Sequence, residues 1–393
     1  MVMDVPAVQA ALVAAGVDGW LLYDFQGNNP IAQRLAGLGG GGHMTTRRWF
    51  YLVPASGEPV ALVHKIERHN LDHLPGAKVP YAGRAELAAG LTRLLSGRRR
   101  IAMEYSPQAA IPYVSRVDGG TLELVRSHGV EVVSSGDLVQ QFEAHWSADA
   151  IASHRLAAEK LYRIKDRAFE TAAQRTRDRV PLHEFELQQL MWDWFAAEGL
   201  WSDAAPNVSA QEHAGNPHYL PSKDHTRPIR ANELLLLDLW GKVQTPGAVF
   251  ADITWVGFTG QDVPDRIAAA FAAIREARDR AVDVIEAAAA AGRDIRGFEV
   301  DAAARAVIEG AGFGDGLLHR TGHSLGETVH GNGAHLDDFE THDERRLLPG
   351  TGFTIEPGVY YDDFGVRTEI NVVWGPAGPE VTGPRQQDIV RLV

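Results

Sequence analysis

Two carboxylates stand where a buried strand should carry only apolar side chains. Asp238 interrupts the run LLLLDLW (234–240), and Asp252 interrupts AVFADITW (248–255). An ionised carboxylate in such a strand is costly unless it is paired or bound to a cation. Folding the two strands into a hairpin around Thr245 sets Asp238 directly opposite Asp252. Opposed residues have Cβ atoms ~4.5–5.5 Å apart. Two carboxylates that close repel, and one pKa rises strongly unless a cation lies between them.

The end of the chain repeats the arrangement. With a turn at Asp362–Gly365, Glu356 in GFTIEPGVYY and Glu369 in GVRTEINVVW become diagonal neighbours on one face. Strand alternation puts Arg367 and Asn371 on the face of Glu369. The chain has no cysteine, so disulfides and thiolate sites are excluded and any metal must be held by His, Asp or Glu. Four carboxylates converging from two hairpins, with a histidine, suit a pair of hard divalent ions. Two such ions ~3.5–4 Å apart can share a bridging hydroxide.

The remaining sequence bounds the context. A length of 393 residues is enough for two or three domains. Over residues 1–146, short apolar strands at 19–25, 49–54, 59–64, 99–105 and 130–135 alternate with helical stretches such as 85–97, which predicts an α/β domain. Ser147 is placed to cap a long helical pattern, a second helix starts near Pro181, and a second domain is expected over 147–393. There, alanine-rich helices at 263–291 and 297–311 separate the two strand pairs. A net charge of −13 argues against nucleic acid as a partner, which requires a basic face. Apolar runs fall short of the ~20 residues that span a bilayer. The early Asp4 and Pro6, without a basic leader, predict a cytoplasmic protein rather than an exported or membrane-bound one.

Three weaker motifs read differently. Gly37, Gly39 and Gly42 fit G-x-G-x-x-G, but the run leads into a strand rather than a helix, so a dinucleotide fold is not expected. Gly322-His323-Ser324-Leu325-Gly326 fits the nucleophile elbow of serine hydrolases. An elbow is followed by a helix, then by an acid and a histidine on later strands, whereas GETVHGNGAH is glycine-rich and irregular. The sequon at Asn207 has meaning only in a secreted chain.

Taken in order, the segments LLLLDLWGK, FADITW, HRTGHSLGETVH, FTIEPGVY and GVRTEINV resemble the pita-bread metallopeptidase family, which includes methionine aminopeptidase, Xaa-Pro aminopeptidase P and prolidase. The resemblance covers about residues 150–393, and the preceding part is similar to the creatinase-type N-terminal domain. It implies an α/β creatinase-like domain followed by an α+β pita-bread catalytic domain. It also implies two divalent ions, manganese foremost, with cobalt or zinc as alternatives. Asp238 would chelate one ion, Asp252 and Glu369 would bridge both, and His323 with Glu356 would hold the second. Glu356 would also shuttle protons. His218 would position the scissile amide, His330 would hydrogen-bond its carbonyl oxygen, His319 would line the cleft, and Arg367 would orient Asp238 or a neighbouring carboxylate.

Hydrolysis of Xaa-Pro bonds in dipeptides or short peptides is the implied activity. The implied assembly is a homodimer in which the 37–48 segment, with Trp49, Arg47 or Arg48, reaches the neighbour's cleft. Three departures from the family pattern stand out: Trp240 fills part of a normally small D-x-G turn, Trp255 replaces an arginine, and His342 holds the place of the arginine that grips a dipeptide's carboxylate in prolidases. Alternatives are a non-catalytic pita-bread module that binds peptides, a metal-free creatinase, and a serine hydrolase using Ser324.

Overall fold

The computed structural model describes residues 3–39 and 44–393. Most of the glycine run at 39–42, including Gly42 of the G-x-G-x-x-G match, lies outside the described residues. The chain divides into two compact units, 1–143 and 144–393.

The first unit is a six-stranded sheet flanked by helices on both faces. Its elements are α1 (Val5–Ala15), β1 (Gly19–Asp24), α2 (Pro30–Leu35), β2 (Trp49–Pro54), β3 (Val60–His64), β4 (Ala77–Tyr81), α3 (Arg84–Leu95), β5 (Arg100–Met103), α4 (Gly119–Arg126), β6 (Glu131–Ser134) and α5 (Gly136–Glu143). The strand order is β4-β3-β2-β1-β5-β6. All strands run parallel except β2, which pairs antiparallel with both neighbours. Strand alternation sorts the core into two layers. Trp20, Leu22, Tyr51, Val53 and Ala102 pack with α1, α2 and α5, whereas Leu21, Tyr23, Phe50, Leu52 and Ile101 pack with α3 and α4.

Two findings differ from expectation here. β4 reads poorly as a strand in the sequence because GAKVPY is short and half exposed. Trp49 opens β2 with only 2% of its surface exposed, so it is a core residue of its own unit and does not reach out to a neighbour.

The second unit is built from two helix-backed antiparallel hairpins. Ser147 does cap α6 (Ala148–Asp178), accepting from the Ala150 N–H, and α7 (Glu184–Ala197) follows. After β7 (Leu200–Trp201) and β8 (Asn207–Ala210) comes the hairpin of β9 (Leu234–Val243) and β10 (Ala251–Phe258). Odd-numbered residues of this hairpin, Leu235, Leu237, Leu239 and Ile253, pack under α6 and α7. Even-numbered ones, Leu234, Leu236, Val256 and Phe258, join α8 (Asp265–Ala290) and α9 (Gly297–Gly310) in the other core. That second core is completed by β12 (Gly352–Ile355) and β15 (Ile370–Gly375), flanked in their sheet by β11 (Ser324–Leu325) and β16 (Gly378–Val381). β13 (Gly358–Tyr360) and β14 (Gly365–Arg367) extend the second hairpin, and β17 (Val390–Arg391) borders β10. No helix among the described residues is long and apolar enough to cross a membrane.

Both hairpin registers differ from expectation. Asp238 pairs with Thr254 and Asp252 with Trp240, a slip of two residues from the direct Asp238–Asp252 pairing. The turn closes at Thr245–Ala248, and Val249 and Phe250 bond to Ser153 and Gly326 instead of to β9. In the second hairpin the turn closes between Tyr361 and Phe364. Ile355 faces Ile370 and Gly358 faces Arg367, so positions 356 and 369 are directly opposed rather than diagonal. A slip of two preserves the face of every side chain, so both carboxylate pairs stay on the inner side.

Candidate metal centre

The even-numbered face of the first hairpin is apolar at 234, 236, 256 and 258 and turns polar at 238, 252 and 254. The second hairpin meets it there. The Asp252 N–H donates to Asn371 Oδ1 at 2.9 Å, and the Glu369 N–H donates to Thr254 O at 3.1 Å. Asp252, His323 and Glu369 each offer a ligand atom, and those atoms lie within 4.8 Å of one another. Thr254 Oγ1 donates to Glu369 Oε2 at 2.7 Å and accepts from Arg367 Nε at 2.9 Å. Arg367 Nη2 donates to Asp238 Oδ2, which ties the fourth carboxylate to the group. Glu356 completes the ring, with Oε1 at 3.3 Å from His323 Nε2.

The electrostatics are lopsided. Burial, then the neighbouring carboxylates, push Asp252 and Glu369 well above the usual carboxylate range. Burial also raises Asp238 in spite of Arg367. For Glu356, burial is outweighed by His323, His319, Arg367 and Arg320, so its pKa is lowered and it stays ionised. Burial lowers His323. Its Nδ1 lies 3.1 Å from Ser324 O, an arrangement that places the proton on Nδ1 and leaves the Nε2 lone pair facing Asp252 and Glu356. Asp252 Oδ1 and Glu369 Oε1 are buried without any hydrogen-bond partner. Buried polar atoms are ordinarily satisfied. Two orphaned carboxylate oxygens beside a free imidazole lone pair are the donor set a divalent cation needs, so these residues fit a metal.

The other expected residues fall in three places. His330 packs its ring 4.4 Å from that of His323, and burial with its charged neighbours lowers its pKa to about 4. His319 is engaged on both nitrogens, at 2.7 Å from Arg320 O and 2.7 Å from Tyr360 Oη. It therefore stands behind Arg367, which also donates to Tyr360 Oη. His218 is exposed on the loop after β8. His342 is not brought to the cluster: it bonds Asp338 at 2.6 Å and packs against Phe298. Ser324 is buried, and its Oγ accepts from the Gly333 N–H at 3.0 Å while the nearby His335 takes the Ser324 backbone N–H. No helix follows it, so the elbow geometry is absent.

Residues not singled out in the sequence also shape the site. Thr254 and Tyr360 link Arg367 to the carboxylates. D-x-T alternation was a signal for Thr254, and nothing comparable marked Tyr360. Arg320, ion-paired to Glu340 at 3.1 Å, sends its charge to His319, His323, His330 and Glu356. Asp203 accepts from the Trp240 indole N–H at 2.7 Å, and its charge reaches Asp252 and His330.

Comparison with known proteins follows the same lines. Residues 157–375 match metallopeptidase family M24. The chain belongs to this family. A Xaa-Pro dipeptidase of Lactobacillus helveticus is 34% identical over 163 residues, covering 41% of this chain and 40% of that protein. A probable dipeptidase PepE of Mycobacterium bovis is 30% identical over 178 residues, 45% of this chain and 43% of that protein. The match thus spans about two fifths of the relatives' own length. Among solved structures, dipeptidase PepE of Mycobacterium ulcerans superposes with a TM-score of 0.70 at 23% identity over 100% of both chains. The prolidase of Thermococcus sibiricus gives 0.61 at 20% identity over 98% of each. The fold, a creatinase-like α/β unit followed by the pita-bread unit, is the one these structures share.

Proposed function

We propose that this chain is a metal-dependent peptidase that hydrolyses Xaa-Pro bonds in dipeptides or short peptides, using two divalent ions, manganese foremost. The observation that carries the reading is the pair of orphaned carboxylate oxygens on Asp252 and Glu369 beside the free Nε2 of His323. Asp238, Asp252, His323, Glu356 and Glu369 would hold the ions. When bound, the ions would supply Lewis acidity toward a carbonyl and a water that ionises near neutral pH. The preference for proline rests on the names of the matched relatives, and the tertiary amide of an Xaa-Pro bond lacks the N–H that other peptidases engage.

The chain's own residues divide the proton work. Arg367 and Arg320 favour the ionised form of Glu356, so it can accept a proton at the start and return it to the imino nitrogen of the leaving proline. His330, neutral at physiological pH, can donate a hydrogen bond to the carbonyl oxygen as charge develops there. Arg367 holds Asp238 in place through one guanidinium arm and anchors Tyr360 and His319 through another.

The test is mass spectrometry of products from Ala-Pro and from a longer peptide beginning Ala-Pro, with protein stripped by chelator and reloaded with Mn²⁺. The expected result is metal-dependent release of alanine that Glu356→Gln abolishes. The preferred length separates dipeptidase from aminopeptidase. No cleavage of either peptide by the loaded protein overturns the reading.

A further inference from the structure

The first unit carries a crevice that the peptidase reading does not use. Its parallel strands β1, β3, β4 and β5 all end at one edge of the sheet, and the antiparallel β2 begins there. A cavity of about 920 Å³ opens at this edge, and its wall includes Arg47, Arg48, Arg84 and Arg116. The location has a topological cause. The helix after β1 (α2) packs on one face of the sheet, and the helix after β5 (α4) packs on the other. The two connections diverge between adjacent strands, and in open α/β sheets a ligand crevice forms outside the carboxyl ends at such a divergence.

The charge in this crevice is unbalanced. Residues 1–143 contain as many Lys and Arg as Asp and Glu, so the whole excess of 13 negative charges lies in the second unit. Within the neutral unit, four guanidinium groups gather at one cavity. Among the described residues, the side chains of Arg48 and Arg84 have no hydrogen bond or ion pair. The Arg47 side chain bonds, among the described residues, only to its neighbour Thr46, whose partner Glu67 also takes the Arg47 N–H, and the Arg116 side chain bonds only to Tyr113 O. The single carboxylate in the wall, Asp118, is occupied by the Tyr23 hydroxyl and by Thr121. Glu86, close by, takes the Ala82 N–H and Lys65. The N-terminus of α3 enters the same wall through Ala82, Gly83 and Arg84, but the Glu86 carboxylate in its first turn already takes the Ala82 and Gly83 N–H groups, so the arginines carry the positive charge of the wall.

We propose that this crevice binds a phosphate-bearing small molecule with two or more negative charges. Planar guanidinium forks match phosphate oxygens in pairs, and several around one cavity select a polyanion over a single carboxylate. Tyr23, Phe25 and Tyr81 give the wall an apolar part, enough for the organic body of a phosphate ester or anhydride.

The test is calorimetric titration of the full chain with inorganic pyrophosphate, with citrate as the polycarboxylate control and the variants Arg84→Gln, Arg116→Gln and Arg84→Lys alongside. The expected result is sub-millimolar binding of pyrophosphate, weakened about tenfold or more by either glutamine variant and partly restored in Arg84→Lys. Circular dichroism of the glutamine variants should match the parent, since neither side chain holds a carboxylate. Pyrophosphate bound at the metal centre would be retained by both glutamine variants, and that result overturns the proposal. So does the absence of binding at millimolar pyrophosphate, and citrate binding as tightly as pyrophosphate overturns the phosphate assignment.

Discussion

Metal loading should release protons, because the stripped centre cannot hold all of its carboxylates ionised. Burial, with Asp238 and Glu356, pushes Asp252 well above the usual range, and burial, with Asp252, Glu356 and Asp238, does the same to Glu369, whereas the pKa of Glu356 is lowered. The stripped chain therefore holds protons on Asp252 and Glu369 to a higher pH than free carboxylates do, and metal bound there must displace them. Proton release on loading is the expected outcome, since ligands must be deprotonated to bind. Calorimetry of Mn²⁺ uptake in buffers of different ionisation enthalpy reads the number of protons released directly as a slope.

The sign carries through to stability. A raised folded pKa contributes stability that is complete below the unfolded value and is lost as pH rises through the folded one. The stripped protein should therefore lose stability as pH rises above the acidic range, while the loaded protein should gain. At a hundredfold excess over Kd, each ion bound is worth about 2.7 kcal/mol, or about 5–10 °C in Tm for a unit of this size. That gap should widen with rising pH. A buffer-independent enthalpy of uptake, or a gap that narrows with pH, would show that the carboxylates are already ionised in the stripped fold and would refute the reasoning.

Three further outcomes are expected. Arg367→Met leaves Asp238 buried without its partner and should cost about 3–5 kcal/mol in urea unfolding of the stripped protein, with less loss once metal is bound. His154, buried between Phe250 O and Thr382 Oγ1, has its pKa lowered by burial to about 4. Its stabilising share is present above pH 6.5 and lost as pH falls toward 4, about 3 kcal/mol in all, so the acid limb of the stability curve should be shallower in His154→Gln; parallel curves would contradict this. Ser324→Ala removes one acceptor for the Gly333 N–H, so a loss of about 1 kcal/mol with peptidase activity intact is expected. Abolished activity in a folded, metal-loaded variant would revive the serine-hydrolase reading.

The floor of the site was legible because it depends on parity rather than on register. Asp238, Asp252 and Glu369 interrupt apolar strands, and the period of two fixes which face they share. The sequence places both hairpin turns wrongly, by two residues in one case and by a shift in pairing in the other, yet the carboxylates still converge. The contacts that pull Val249 and Phe250 out of the first ladder come from Ser153 and Gly326, far away in the chain, and no local pattern announces them. For the same reason the histidines were harder to place. His323 is placed by the motif HRTGHSLGETVH, just before β11, but His319 and His342 owe their positions to Tyr360, Asp338 and Phe298, partners visible only once the loops are folded.

Parity also puts a constraint on the rim. Trp240 follows Asp238 by two residues, so its indole stands on the same inner face as the carboxylates proposed to hold metal, directly across the ladder from Asp252. In the family pattern this turn is small, and a small residue would leave that side of the centre open. Here the indole is fixed by Asp203, from a loop some thirty-five residues upstream, and its lower edge packs with Val249, Phe250 and Leu325. The indole thus stands across the ladder from Asp252, while the exposed Asp203 carboxylate adds a negative charge that reaches Asp252. Asp238, proposed to hold metal, and Trp240, at the rim, thus lie on one strand face. Only the second depends on a partner that alternation cannot predict.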